Sequence, residues 1–157
     1  MREILFRGKT TKKEQEIHAF HNVWVEGDLI KNRFKWHIHP KSNCFRSEKE
    51  LAKGMIAHEV IPETVGQFTG LTDKNGKKIF EGDIVRICSS NWWCGYTNNQ
   101  LEKEKCTIYY NEKTACFMFN DGKFTYSFSK YLYNDSDKRY SLELIGNIHD
   151  NSELLGE

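Results

Sequence analysis

The sequence predicts a mostly β fold: a small barrel of antiparallel strands, with additional N-terminal strands and at most one or two short helices. Aromatic residues, which favour strands, make up 13% of the 157 residues. Several short segments alternate between apolar and polar residues with a period of two, as half-buried strands do. Glycine-containing turns separate these segments, and the sequence has no long helical pattern of the kind that connects parallel strands.

Residues 1–59 are predicted to be a strand extension that packs on the barrel. The apolar run 4–6 predicts a first strand, and the polar run 8–16 predicts a loop. A second strand is expected over 22–30, interrupted by a turn at Gly27-Asp28, and a third over 33–39. Ser47-Glu48-Lys49-Glu50 matches a capping box, which predicts a short helix that ends at Gly54.

Residues 60–157 are predicted to form the barrel; the alternative is one continuous domain with the extension. Pro62 is suited to begin a single helical turn over 62–65, because a helix does not use the amide that proline lacks there. Asn75-Gly76 lies between apolar runs and predicts a hairpin. Later strands are expected at residues 84–88, 106–110, 115–119, 124–128 and 142–148.

The tripeptide Glu-Gly-Asp precedes an apolar run twice, at 26–28 and at 81–83. Either pair of carboxylates is a candidate for metal binding or acid–base catalysis. The alternative is that the aspartate caps a turn and the glycine adopts a conformation that other residues avoid. Because the tripeptide precedes a strand both times, we expect the same turn in both places and predict no catalytic residue.

The charge balance argues against a protein that coats nucleic acid. The chain has 23 basic and 22 acidic residues, a net charge of +1, whereas such proteins carry a clear basic excess. A signal peptide and an apolar membrane-spanning run are not found in the sequence. With five cysteines, an odd number, and no Cys-x-x-Cys pair, we expect a cytoplasmic protein with free thiols and no membrane partner.

Histidine and cysteine offer only a loose metal-binding pattern. His37 and His39 would share one face of a strand, with Cys44 nearby, and Cys88 and Cys94 are the other pair close in sequence. Structural zinc sites use tighter pairs of ligands. We therefore expect no metal and no cofactor; the alternative is a metal-dependent enzyme that uses these histidines with the Glu-Gly-Asp acids.

A basic segment with interleaved aromatic residues is the candidate nucleic-acid site. Residues 1–59 contain 12 basic and 8 acidic residues, whereas residues 60–157 contain 11 and 14. The candidate binding residues are Lys31, Arg33, Lys35, Trp36 and Lys41. A positive groove with stacking aromatics is typical of single-strand binding. The alternative is an ordinary strand whose Phe34, Trp36 and Ile38 face the core while the charges face solvent.

The polar segment 89–105 is the candidate protein-binding site. Loops longer than about 12–15 residues are usually functional or disordered. Trp92 and Trp93 cannot both point inward if the segment is extended, and an exposed tryptophan with Tyr96 nearby suits a protein interface. The alternative is that both rings fold back over the edge of the barrel.

Four blocks of the sequence resemble the YopX family of bacteriophage and prophage proteins. They are residues 2–9 (REILFRGK), 24–30 (WVEGDLI), 62–85 (PETVGQFTGLTDKNGKKIFEGDIV) and 145–151 (IGNIHDN). The resemblance implies an SH3-like barrel with N-terminal strands packed alongside, and it implies no catalytic residue or cofactor. Residues 89–105 look longer than the usual connection, and residues 33–56 lie outside the resemblance.

Taken together, these patterns indicate a binding protein rather than an enzyme. Our first hypothesis is a protein-interaction module that self-associates or engages a phage or host protein through Trp92 and Trp93. The second is a nucleic-acid accessory protein that uses the basic-aromatic segment. The third is the metal-dependent enzyme.

Overall fold

The computed structural model describes residues 3–18, 24–41, 57–89, 104–128 and 140–155. The predicted helix at 47–54 lies outside them. The chain divides into two compact units, Met1–Phe68 and Thr69–Glu157, whereas the sequence placed the boundary after residue 59, which stays a prediction. No helix among the described residues is long and apolar enough to cross a membrane.

The first unit is an antiparallel sheet with one helix. Its strands lie in the order β4-β3-β2-β1-β5. Their bounds are β1 Phe6–Lys9, β2 Trp24–Lys31, β3 Trp36–Pro40, β4 His58–Val60 and β5 Gly66–Thr72, of which β5 continues into the second unit. An isolated bridge also pairs Thr10 with Val60, so the sheet curls until the chain after β1 approaches β4.

Helix α1, Lys12–His18, occupies a segment that we predicted to be a loop. Thr11 begins it: its hydroxyl accepts the amide of Glu14 at 3.4 Å, and its carbonyl accepts the amide of Gln15 at 3.1 Å. Thr11-Lys12-Lys13-Glu14 has the spacing of a capping box, the same signal that we used at Ser47. The loop prediction was therefore wrong, and the sequence contained the signal that would have corrected it.

Close packing fills the interior of this first sheet. Ile38 and Val60 are fully buried, and a side chain on Gly8 would come within 3.1 Å of Ile38 and 3.2 Å of Val60. The predicted helical turn after β4 is confirmed as the single 3₁₀ turn Pro62–Thr64. Thr64 closes it by donating to the carbonyl of Ile61 at 2.7 Å.

The second unit contains a five-stranded antiparallel sheet in the order β10-β9-β8-β7-β11. The remainder of β5 and the short strand β6, Lys78–Phe80, form the predicted hairpin. The five strands are β7 Asp83–Ser89, β8 Glu104–Asn111, β9 Cys116–Asn120, β10 Thr125–Ser127 and β11 Tyr140–Asn147. All five expected strands are present, and a 3₁₀ turn, Ser152–Leu155, follows them.

One hydrophobic cluster holds the second unit together. Ile79 from the hairpin packs with buried residues of the five-stranded sheet: Val85, Ile87, Cys106, Ile108, Phe117, Phe119 and Leu142. The hairpin turns at Gly76, whose φ is +80°, a value that glycine adopts without steric cost. Asp73 accepts the amides of Asn75 and Lys77 at 2.8 and 2.9 Å.

The mostly β prediction is confirmed, with a correction to the barrel. The described strands form two antiparallel sheets, and the described residues contain one α-helix, α1. Within these residues no sheet closes into a barrel: one sheet runs from β4 to β6, and the other runs separately from β10 to β11. Alternation predicted the strands, but it does not encode which strands become neighbours.

Candidate functional site

The connection between β2 and β3 projects past the last cross-strand pair, which joins Lys31 and Trp36. We call its residues, Asn32, Arg33, Phe34 and Lys35, the hairpin tip. The amide of Asn32 donates to the carbonyl of Lys35 at 3.0 Å. The Asn32 side-chain oxygen accepts the amides of Phe34 at 3.0 Å and Lys35 at 2.8 Å. The tip is thus an Asx turn held by its own hydrogen bonds.

Phe34 is the exposed aromatic residue of this tip, with 83% of its surface accessible. The alternative in which its ring faces the core with Trp36 and Ile38 is wrong for Phe34. The period of two applies only along a paired strand, and β3 begins at Trp36. The sequence signal for the turn was Asn32, a residue that commonly starts turns.

One basic side chain lies over the ring of Phe34, and two others belong to the same hairpin. The Arg33 guanidinium carbon lies 5.5 Å from the centroid of the Phe34 ring, and the Lys31 ammonium lies 4.6 Å from the centroid of the half-buried Trp36 ring. The Lys35 ammonium is 2.6 Å from a carboxylate oxygen of Glu59 on β4. The hairpin tip and the Lys31–Trp36 pair next to it therefore combine three cations with one neighbouring carboxylate.

The structure separates Lys41 from the other four predicted nucleic-acid residues. Lys41 follows Pro40 at the far end of β3, and its ammonium lies 3.0 Å from a carboxylate oxygen of Glu3. Lys31, Arg33, Lys35 and Trp36 remain together. The sequence analysis did not include Asn32 and Phe34 in this site, although Phe34 contributes its most exposed ring.

His37 and His39 lie on the face of β3 opposite to buried Ile38. His39 pairs across the strands with Asp28, and His37 pairs with Ile30. Cys44, the third suggested ligand, lies outside the described residues, as does Cys94. Among the residues described, no group of three or more histidine, cysteine, aspartate or glutamate side chains is arranged to hold a metal ion.

The Glu-Gly-Asp tripeptide at 81–83 forms the expected turn. Gly82 has a φ of +82°, and the buried Asp83 carboxylate accepts the amide of Phe80 at 2.8 Å. The Glu81 carboxylate accepts the amide of Tyr110 at 3.0 Å. Both carboxylates thus hold the backbone of neighbouring residues in place.

The tripeptide at 26–28 does not form a turn, so the expectation of a shared turn was wrong. It lies inside β2, where Gly27 pairs with Phe6 on one side and Pro40 on the other. A side chain on Gly27 would overlap the carbonyl of His39. Here glycine is required because two backbones approach closely, not because of its φ.

Trp92, Trp93 and Tyr96, the candidate protein-binding residues, lie outside the described residues, so their role stays a prediction.

Comparison with known proteins shows which family this chain belongs to. The model of the family described as YopX protein matches residues 5–156. A crystal structure of protein EF1440 from Enterococcus faecalis is similar, with 20% identity, 99% of each chain covered and a TM-score of 0.49. None of the curated proteins matches. Since the family model spans nearly the whole sequence, the chain belongs to the YopX family.

Proposed function

We propose that this protein acts by binding rather than catalysis, and that the hairpin tip binds single-stranded nucleic acid. The observation that carries the proposal is the 83% exposed ring of Phe34 between Arg33 and Lys35. A base that stacks on an aromatic ring contributes about 1–3 kcal/mol. Lysine and arginine next to the ring are placed to neutralise the phosphates on either side of such a base.

The charge of the site implies weak binding, as expected for an accessory protein. Arg33 and Lys35 are the cations of the hairpin tip, and Lys31 lies next to it. The Glu59 carboxylate partly compensates the charge of Lys35. Each phosphate neutralised on a single strand contributes about −0.7 to the slope of log affinity against log salt. Two or three contacts therefore predict a slope of about −1.4 to −2.1.

Fluorescence anisotropy with a labelled single-stranded oligonucleotide tests the proposal. Phe34→Ala should weaken binding about fivefold or more, because one stacked base is lost. Phe124→Ala is the matched control, since Phe124 is 64% exposed beside Lys123 in the turn between β9 and β10. Its affinity should stay that of the wild type. Absence of binding at low salt, or an equal loss for both variants, would refute the proposal.

The charge contribution has a separate measurement. Lys31→Gln and Arg33→Gln should each make the salt slope shallower by about 0.7. Lys41→Gln is the control, because Lys41 lies at the other end of β3 and pairs with Glu3. A slope that none of the three variants changes would exclude phosphate contacts by the tip.

The finer fold assignment is a second part of the proposal. We infer that the hairpin and the five-stranded sheet of residues 60–157 have the strand arrangement of the SH3-like family that the resemblance implies, and that residues 1–59 are a strand extension of it. The five-stranded antiparallel sheet and the packing of Ile79 against it support this inference. An experimental structure in which the β5–β6 hairpin does not cover that sheet would contradict it.

A protein partner at Trp92, Trp93 and Tyr96 is the alternative binding function. Its support is the composition of segment 89–105, and the partner would be a phage or host protein or a second copy of this chain. Trp92→Ala combined with Trp93→Ala should abolish a captured partner or self-association while the fold is kept. An unchanged partner set would reject this alternative.

The setting of the proposed function is a phage or prophage product acting in the host cytoplasm. The resemblance to phage proteins supports the origin, and the cysteine content supports a reducing compartment. Genes adjacent to this one provide the test: a neighbourhood without phage genes would contradict the proposed origin.

A further inference from the structure

The ring of Phe34 has one open face. Arg33 lies over the ring at 5.5 Å from its centroid, and the remaining surface of the side chain is exposed. A ring inserted between two bases contacts one on each face, whereas a ring with a cation on one face stacks on a single base with the other. Phe34 is therefore suited to cap a base stack rather than to intercalate into it.

The reach of the tip is short. Beyond the Lys31–Trp36 pair the chain has four residues and turns back. Two residues out and two back extend the backbone at most about 7 Å at the rise of a strand, and Phe34 is the one ring among these four residues. The tip therefore offers one ring to one exposed base face.

Within the part of the chain that the structure describes, no neighbouring ring extends the stacking surface of the tip. Trp36 is half-buried and carries the Lys31 ammonium over its ring. Proteins that hold uniform single strands stack successive bases on several rings, and a single open face gives this tip one stacking contact. Such a contact is most effective where a base stack ends, because the outer face of the last base pair is already flat and unstacked.

Resting on the proposed function, we propose that the preferred target is the junction between duplex and single-stranded nucleic acid. Phe34 stacks on the last base pair of the duplex. Arg33, Lys31 and Lys35 contact phosphates of the single strand that continues from it. Both contributions are strongest at a junction, since a blunt duplex lacks the flexible strand and a single strand must first order a base against the ring.

Three labelled probes of the same sequence test the proposal by anisotropy at one salt concentration: a single strand, a blunt duplex and a duplex with a single-stranded tail. The tailed duplex should bind about fivefold tighter than either other probe. Phe34→Ala and Phe34→Leu should both lose this preference, whereas Phe34→Trp should keep it. Lys31→Gln is the control and should weaken binding to the tailed duplex without removing the preference.

A 2-aminopurine base locates the contact. Placed at the junction, it should change emission when wild-type protein binds, and placed several bases along the single strand it should not. Binding to single strands without a junction preference would overturn this inference and leave the proposed function intact. A preference that Phe34→Leu retains would also overturn it, because leucine is apolar but has no ring. No binding to any probe would overturn both.

Discussion

The side-chain oxygen of Asn32 accepts the backbone amide of Lys35 at 2.8 Å. This hydrogen bond, with the parallel one from the amide of Phe34, fixes the turn in which Phe34 is exposed. The ring and the cations of the hairpin tip are therefore positioned by one polar side chain, which the sequence places directly after β2.

Asn32→Ala should show how much the turn conformation of the hairpin tip contributes to binding, because it leaves the ring and the cations of the tip unchanged. Loss of the two accepted hydrogen bonds should lower the free energy of unfolding by only about 0.5–1 kcal/mol, because the turn is exposed. Affinity for the oligonucleotide should fall as well, because the ring is no longer preorganised. Asn32→Asp keeps the oxygen, so it should keep the stability while its added negative charge weakens binding. Denaturant titration and anisotropy measure the two effects, and wild-type affinity in Asn32→Ala would contradict the role of the turn.

The two Glu-Gly-Asp glycines should respond differently to substitution. Gly82→Ala should cost about 1–2 kcal/mol, because its φ of +82° is strained for a residue with a side chain. Gly27→Ala should cost about 3 kcal/mol or more, because the new methyl group overlaps a backbone carbonyl that cannot move aside alone.

Asparagine at the same two positions gives the control. Asparagine tolerates the left-handed conformation better than alanine, so Gly82→Asn should be less destabilising than Gly82→Ala. Gly27→Asn should be at least as destabilising as Gly27→Ala, because its larger side chain meets the same carbonyl. Urea denaturation of the four variants measures their free energies of unfolding. The same order of alanine and asparagine at both glycine positions would contradict the prediction.

Asp73 should make the free energy of unfolding depend on pH in the acid range. Burial raises the pKa of its carboxyl, but the amides of Lys77, Asn75 and Leu144 donate to the carboxylate and together hold its pKa below the ordinary value. The unfolded chain therefore binds a proton at higher pH than the folded one. The stabilisation is fully present above about pH 4 and is lost as the pH falls through the lower folded pKa.

Asp73→Asn tests this dependence. The variant should be less stable than the wild type near neutral pH, because an amide nitrogen replaces an acceptor of the Leu144 amide. That difference in the free energy of unfolding should narrow below about pH 4, where the wild type becomes protonated. Urea denaturation across the pH range measures it. A difference that stays constant into acid would exclude Asp73 as the titrating group.

Ala115 should be a site at which glycine is stabilising. Its φ is +51° in the turn between β8 and β9, a conformation that costs an ordinary residue about 1–2 kcal/mol. Glycine relieves this cost and loses roughly 0.5–1 kcal/mol of chain entropy in return. Ala115→Gly should therefore raise the free energy of unfolding by about 0.5 kcal/mol. Ala57→Gly, where the backbone is not left-handed, should lower it; a loss at both positions would contradict the reasoning.

Short-range chemistry was readable in the sequence. The hairpin at Asn75-Gly76, the turn at Pro62 and the strands of the five-stranded sheet follow from turn residues and alternation, and the structure contains them. The capping box at Thr11 was equally readable and was missed. The candidate site was predictable in composition, through Lys31, Arg33, Lys35 and Trp36, but its arrangement was not.

By itself, the sequence determined the strand content and most turn positions, because local conformation depends on residues that are neighbours in the sequence. It also determined the family, through the four blocks that resemble it. Only the tertiary structure decided that Gly27 is a close-approach glycine while Gly82 is a turn glycine. It also decided that Lys41 pairs with Glu3 away from the tip and that Phe34 faces solvent. These features depend on which residue of a distant strand lies opposite, and strand register arises from packing of the whole sheet rather than from any local pattern.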